Sequence, residues 1–158
     1  MLSGSRAAGL MLVATTLVAA VLASSGCDGA DGADGTFPEG AWRAERPEDA
    51  FVAAGLSDDV TANHAGVWTI SFEDGRLEVH DVNDASGDST TQAGVYCVDG
   101  DQIAVGFTEC GDFWTARWVS VGDELHFEEL EAGYAHDRPG EELLLTTIFG
   151  SDGWTVVR

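Results

Sequence analysis

The chain contains no lysine. Its seven cations are all arginine, set against 28 acidic side chains in 158 residues. That imbalance disfavours nucleic acid and anionic lipid as partners, since both repel a like-charged surface. Cysteine is scarce, with three copies and no Cys-x-x-Cys spacing, so a redox or metal pair has little support. The four histidines, His64, His80, His126 and His136, are isolated in sequence, whereas a zinc site needs three or four ligands to converge. Gly-x-Ser-x-Gly, His-Glu-x-x-His, a phosphate loop and a dinucleotide fingerprint are all missing. No apolar run reaches the roughly 20 residues that a spanning helix needs. These absences lead us to expect a protein that is not an enzyme and uses no cofactor or metal.

What is present begins at the amino terminus. An uncharged run from Leu10 to Ala23 leads into Leu22-Ala23-Ser24-Ser25-Gly26-Cys27, which resembles a bacterial lipoprotein cleavage site. Cys27 would carry the lipid as the first mature residue, preceded by the small Ser25 and Gly26 that a peptidase accepts. Residues 1–26 are therefore expected to be a signal peptide. Ordinary secretion, with cleavage among Ala23, Ser24 and Ser25, is the alternative. Lipidation of Cys27 leaves Cys97 and Cys110 as an even pair, and two or three acyl chains would hold the protein at the extracytoplasmic face of the cell membrane.

Residues 27–36 continue as a Gly-Ala-Asp repeat from Asp28 to Gly35, with nothing to bury and a like charge every third residue. They are expected to form a solvated tether with a mean reach of about 17 Å. All 28 acidic residues follow Cys27 and one arginine precedes it, so the mature chain carries six arginines and a net charge of −22. Such a surface suits salt adaptation or a cationic partner, and a solvated acidic exterior is the commoner explanation.

Residues 37–158 have the size of one compact domain. Pro47 to Ala54 reads as a helix: proline at its start, Glu48 and Asp49 against the dipole, Gly55 as the stop, and Ala50, Phe51 and Ala54 as the buried stripe. Elsewhere short runs rich in Val, Ile, Thr, Phe and Trp are separated by turn dipeptides. Asp74-Gly75 and Asp99-Gly100 are strong two-residue hairpin signals. The first predicts Phe72 opposite Leu77, Ile70 opposite Val79 and Trp68 opposite Asp81. The second predicts Val98 opposite Asp101, Tyr96 opposite Ile103 and Gly94 opposite Val105. The segment around Gly122-Asp123 predicts Trp118 opposite Leu125, Ala116 opposite Phe127 and Trp114 opposite Glu129. With strands at Ala41 to Arg46 and Trp154 to Arg158 the count reaches about eight, enough for an all-β, antiparallel up-and-down barrel. A sandwich is the alternative, and Glu142 to Phe149 reads equally as a strand or a short capping helix.

The stretch Gly40-Ala41-Trp42 looks like the Gly-x-Trp that opens lipocalin-type barrels. More broadly, residues 37–158 are similar to the lipocalin-like (calycin-type) domains of actinobacterial secreted proteins and lipoproteins. The similarity runs through the Pro-Glu-Asp helix ending at Ala54-Gly55-Leu56, Gly66-Val67-Trp68 to Gly75-Arg76, Gly94-Val95-Tyr96, Val98-Asp99-Gly100-Asp101 and Phe149-Gly150-Ser151-Asp152-Gly153-Trp154. The resemblance implies that Arg158 packs over Trp42 to close the barrel. It brings no activity with it, and the Thr-Asp-Tyr element of true lipocalins is missing.

Cys97 and Cys110 fall near one hairpin of an exported chain, so we expect a disulfide between them, contributing about 3 kcal/mol. His80 and His126 should point outward, with His64 and His136 in loops. Asp81 and Glu129 are the unusual carboxylates, since the expected registers turn both inward beside tryptophans near strand ends. There they either sit in water at the barrel mouth or, with Tyr96, Trp114 and Trp118, line a cup for a small apolar or cationic ligand. The expected function is thus a lipid-anchored, monomeric barrel that binds a small molecule at the cell envelope. A filled-core structural or interaction module with an acidic exterior is the alternative, and an enzyme using Asp81 or Glu129 is a third reading.

Overall fold

The structure, a computed structural model, describes residues 31–32, 35–107, 113–133 and 140–158. The predicted signal peptide, Cys27, Cys110 and His136 lie outside these residues. Within the expected tether, Asp31–Gly32 (β1) and Gly35–Thr36 (β2) pair as a short antiparallel ribbon.

Eight strands follow: β3 (Gly40–Arg46), β4 (Gly66–Glu73), β5 (Arg76–Asn83), β6 (Ser89–Asp99), β7 (Gln102–Phe107), β8 (Phe113–Val121), β9 (Glu124–Ala132) and β10 (Trp154–Val156). They form a closed antiparallel barrel in the order β10-β3-β4-β5-β6-β7-β8-β9. β3 to β9 run as a meander, and β10 fills the seam by pairing with β3 on one side and β9 on the other. Closure removes the unpaired strand edges that an open sheet would present.

The registers follow from the turns. At Asp74-Gly75 both residues have positive φ, 48° and 75°, the requirement of the turn that matches strand twist. Trp68 opposite Asp81, Ile70 opposite Val79 and Phe72 opposite Leu77 are all found. The other two hairpins differ from expectation by two residues. Asp99 pairs with Gln102, making Gly100-Asp101 the loop, so Val98 faces Ile103, Tyr96 faces Val105 and Gly94 faces Phe107. Likewise Val121 pairs with Glu124 around Gly122-Asp123, Ser120 faces Leu125 and Trp118 faces Phe127. In both loops the glycine comes first and is the residue with positive φ, 62° and 64°, so the glycine position sets the turn. A shift of two leaves every side chain on its expected face.

A bulge breaks the third register between Thr115 and Arg117. Glu129 takes φ of 53° there, and Trp114 pairs with Ala132 instead of Glu129. The extra residue turns Glu129 out to solvent and places Leu130 against the core.

One end of the barrel carries the tight turns and the other carries helices. α1 (Glu48–Ala54) starts after Pro47 and stops at Gly55, whose φ of 86° lets its N–H reach Phe51 and Val52 carbonyls. Phe51 is fully buried, while Ala50 and Ala54 are half-buried. α2 (Asp58–His64) was not anticipated, because Val, Thr, Asn and His are weak helix formers. Glu142 to Phe149 is helical: α3 (Glu141–Leu145) continues into a π-helical turn over Thr146–Gly150.

Candidate functional site

The expected cup is the barrel interior, and aromatic rings occupy it. At the turn end, Phe37 enters from the segment before β3. Its ring lies 5.0 Å from Phe72, 5.5 Å from Tyr96 and 5.5 Å from Trp118. At the helical end, Phe149 descends from the π-helical turn, 5.1 Å from Trp114, 5.7 Å from Trp154 and 6.4 Å from Trp68. Both phenylalanines are buried, as are Ile70, Leu77, Ile103, Val105, Leu125 and Phe127 between them. Tyr96, Trp114 and Trp118, proposed from sequence as ligand-lining, are core residues packed edge-on against Phe72, Phe127 and Phe37 respectively.

The polar tips of these aromatics mark the boundary of the core. The Trp118 indole donates to the Gly100 carbonyl at 3.1 Å, and the Trp42 indole to the Pro38 carbonyl at 3.1 Å. The Tyr96 hydroxyl donates to the Glu39 carboxylate. Burial first and the Glu39 carboxylate second raise the Tyr96 phenol well above the usual tyrosine range. Trp114 differs, because its indole N–H is buried with no hydrogen-bond partner.

The expected closure of Trp42 by Arg158 is not found. Arg158 is exposed and ion-paired with Asp123. Among the described residues, the arginine that packs on a tryptophan is Arg46, whose guanidinium lies 5.2 Å from the Trp154 ring centroid. Arg46 is buried. It donates through Nε to the Ile148 carbonyl at 2.7 Å and through Nη2 to the Asp152 carbonyl at 2.9 Å, tying the helical cap to β3. Burial lowers its pKa, with Asp152 opposing the shift. The segment Trp42-Arg43-Ala44-Glu45-Arg46 holds two arginines, and only the inward parity that Arg46 shares with Trp42 and Ala44 singles it out.

Asp81 and Glu129 are not brought together, since β5 and β9 stand on opposite sides of the barrel. Glu129 lies 3.6 Å from Arg117 on the outer surface, where such pairs contribute little. Asp81 does reach a concave feature. A cleft of about 370 Å³ opens at the helical end between α2, the end of β5 and the β5–β6 loop. Asp81, Asp88, Asn63, Asn83 and Thr90 are among its lining residues.

The cleft wall is preformed. Asn83 donates to the Ala62 carbonyl at 2.7 Å, and its Oδ1 accepts from the Ala85 and Ser86 N–H groups at 2.9 Å each. Asp84 N–H donates to the Ala65 carbonyl, joining loop and helix a second time. The Asp81 carboxylate accepts the Thr90 hydroxyl. His64, expected in a loop, closes α2 and stacks on Trp68 at 6.3 Å. Its pKa is lowered by burial, against the pull of Asp81. His80 and His126 lie on the outer face, against Thr91 and Glu124.

Among the described residues no group of three His, Cys, Asp or Glu side chains could hold a metal ion, and no helix is long and apolar enough to cross a membrane. Cys97 is half-buried on the outer side of β6, and its expected partner Cys110 lies outside the described residues. Comparison with protein-family models, with curated proteins and with solved structures returns no match, so the fold stands on its own geometry.

Proposed function

We propose that this chain is an extracytoplasmic, lipid-tethered barrel of the lipocalin-like kind whose core is filled and which works through its acidic exterior as a non-enzymatic binding or structural module at the cell envelope. The observation that supports this reading is the pair of phenylalanines, Phe37 and Phe149, that seat one in each end of the barrel. An eight-stranded barrel has just enough interior for its own side chains or for one small ligand, and here the rings take that volume.

Native mass spectrometry of the exported protein tests it. We expect the bare chain; an extra mass that leaves on unfolding would overturn the filled-core reading in favour of a carrier. The carrier reading has one observation of its own, the unpartnered Trp114 N–H in the core, which a ligand oxygen could satisfy. The same spectrum reads the proposed Cys97–Cys110 disulfide as a mass short by the two thiol hydrogens. Lipidation is tested by Cys27→Ser, which should move the protein from the membrane fraction to the medium. Retention at the membrane would make the uncleaved apolar segment the anchor.

A further inference from the structure

Charge is distributed unevenly around the barrel. From Ser89 to Val98, β6 runs ten residues without a charged side chain, and β7 adds six more from Gln102 to Phe107. The outer face of this pair presents Thr91 and Val95 from one strand and Gln102 and Ala104 from the other, with Val95 exposed. Its borders are cationic: Arg76 of β5 pairs with Val95, and Arg117 of β8 pairs with Gln102. By contrast β9, one strand beyond β8, carries four glutamates, and the hairpin tips carry Asp74, Asp101 and Asp123.

The amino-terminal ribbon settles on the same flank. β1 lies against β6. Asp31 pairs with Thr36, the residue before Phe37, whose ring is seated in the turn end against Phe72, Tyr96 and Trp118. Pro38 and Glu39, next in the chain, are held by the Trp42 indole and the Tyr96 hydroxyl. Cys27 stands four residues before Asp31, so its backbone lies within about 14 Å of that fixed point even with the chain fully extended. The eight-residue strands β4 and β5 are about 26 Å long, and with the usual barrel tilt they still carry the helical end beyond that reach. Two surfaces remain near the anchor, the hairpin tips and the β6–β7 flank. Charge decides between them, because an anionic headgroup layer repels aspartates that come within a Debye length.

We propose that the outer flank of β6 and β7 is a lipid-facing surface, which the anchor on Cys27 lays against the headgroup layer while β9, β10 and β3 face away. This deepens the reading of a lipid-tethered barrel that works through an acidic exterior, and rests on it. The flank needs little affinity of its own. Once the acyl chains are inserted, its contact with lipid is intramolecular, at an effective concentration on the millimolar scale for so short a linker. A neutral face bordered by Arg76 then meets the headgroups without the repulsion that the tips would, and the glutamates of β9 are left pointing outward.

The test uses the lipidated chain, purified from membranes and placed in nanodiscs of phosphatidylcholine and phosphatidylglycerol doped with a gadolinium-chelating lipid. Flotation with vesicles of the same lipids is read first, and loss of amide signal is then read residue by residue. We expect the protein to float, with the greatest loss at Thr91, Val95 and Gln102 and with signal kept at Arg43 and Thr155 on the opposite side. Val95→Glu puts a charge on the flank at an exposed position and leaves the core alone; it should still float and lose the selective broadening. Failure to float would overturn the anchor and the orientation together. Flotation with an even map, with the strongest losses at β3 and β10, or with a map that Val95→Glu does not change, would overturn the lipid-facing flank and leave the anchor standing.

Discussion

Phe149, outside the sheet, anchors the helical end of the core. It is the meeting point of Trp68, Trp114 and Trp154, so truncation leaves a hole that three rigid rings cannot collapse to fill. Phe149→Ala is expected to cost about 3–5 kcal/mol in denaturant unfolding, and Phe37→Ala a comparable amount at the other end. Tyr96 contributes a dependence on pH. Its phenol is raised in the folded chain but titrates near the usual value of about 10 when unfolded. Above that value the unfolded chain loses its proton and the folded one does not, so unfolding is favoured and stability falls as pH rises. Tyr96→Phe should abolish the fall, which thermal midpoints between neutral and strongly alkaline pH would show. Arg46 is the residue the sequence hid best. Trp42 and the terminal arginine were visible as a pair, but the partnership that forms is Arg46 with Trp154, because Arg46 shares the inward face of β3 with Trp42 and Ala44. Arg46→Met should strand the Ile148 and Asp152 carbonyls at about 1–3 kcal/mol for each acceptor that water cannot reach.

Turns and bulges decide how much of each hairpin could be read. Asp74-Gly75 announced its own register because both loop residues tolerate left-handed backbone. The Asp99-Gly100 dipeptide points one residue too early, because the chain places glycine first in the loop, and the hairpin at Gly122-Asp123, expected by analogy with it, carries the same offset. The bulge at Glu129 has no sequence signature: nothing in Phe127-Glu128-Glu129-Leu130 marks which glutamate will sit at φ of 53°. That strain gives a test at this scale. Glu129→Gly removes a side chain from left-handed backbone and gives up only an exposed contact with Arg117, so it should stabilise by about 1 kcal/mol. Gly94 is the reverse case. A Cβ there would come within 2.6 Å of the Gly106 carbonyl oxygen and of a Leu77 methyl, and Gly94→Ala should destabilise by about 1–3 kcal/mol or more, read from the unfolding midpoint. α2 escaped notice because its residues are poor helix formers. It holds its place through the Asn83 and Asp84 bonds from the neighbouring loop, which only tertiary structure supplies.

The whole molecule repels itself. With seven arginines against 28 carboxylates and several of the arginines locally paired, added salt should raise the unfolding midpoint, as screening shortens the range of the remaining repulsion. A flat response between low and molar sodium chloride would place the carboxylates farther apart in effect than the fold suggests. Fold class was legible because alternation and turn spacing put the apolar residues of all three expected hairpins on one face, which register shifts of two do not change. The candidate cleft was not, because it is assembled from a helix without a signal, a loop that spends its polar atoms on itself and one aspartate that the registers had already placed near a rim.

The three-residue strand β10 has a consequence in time. It pairs Thr155 with Arg43 on one flank and with Glu124 on the other, so it docks only after the meander from β3 to β9 has brought those distant positions together. Contacts across so many residues close slowly, and until the seam is filled both flanks are open to other chains. Refolding should therefore end in a late, concentration-sensitive phase in which seam closure competes with association.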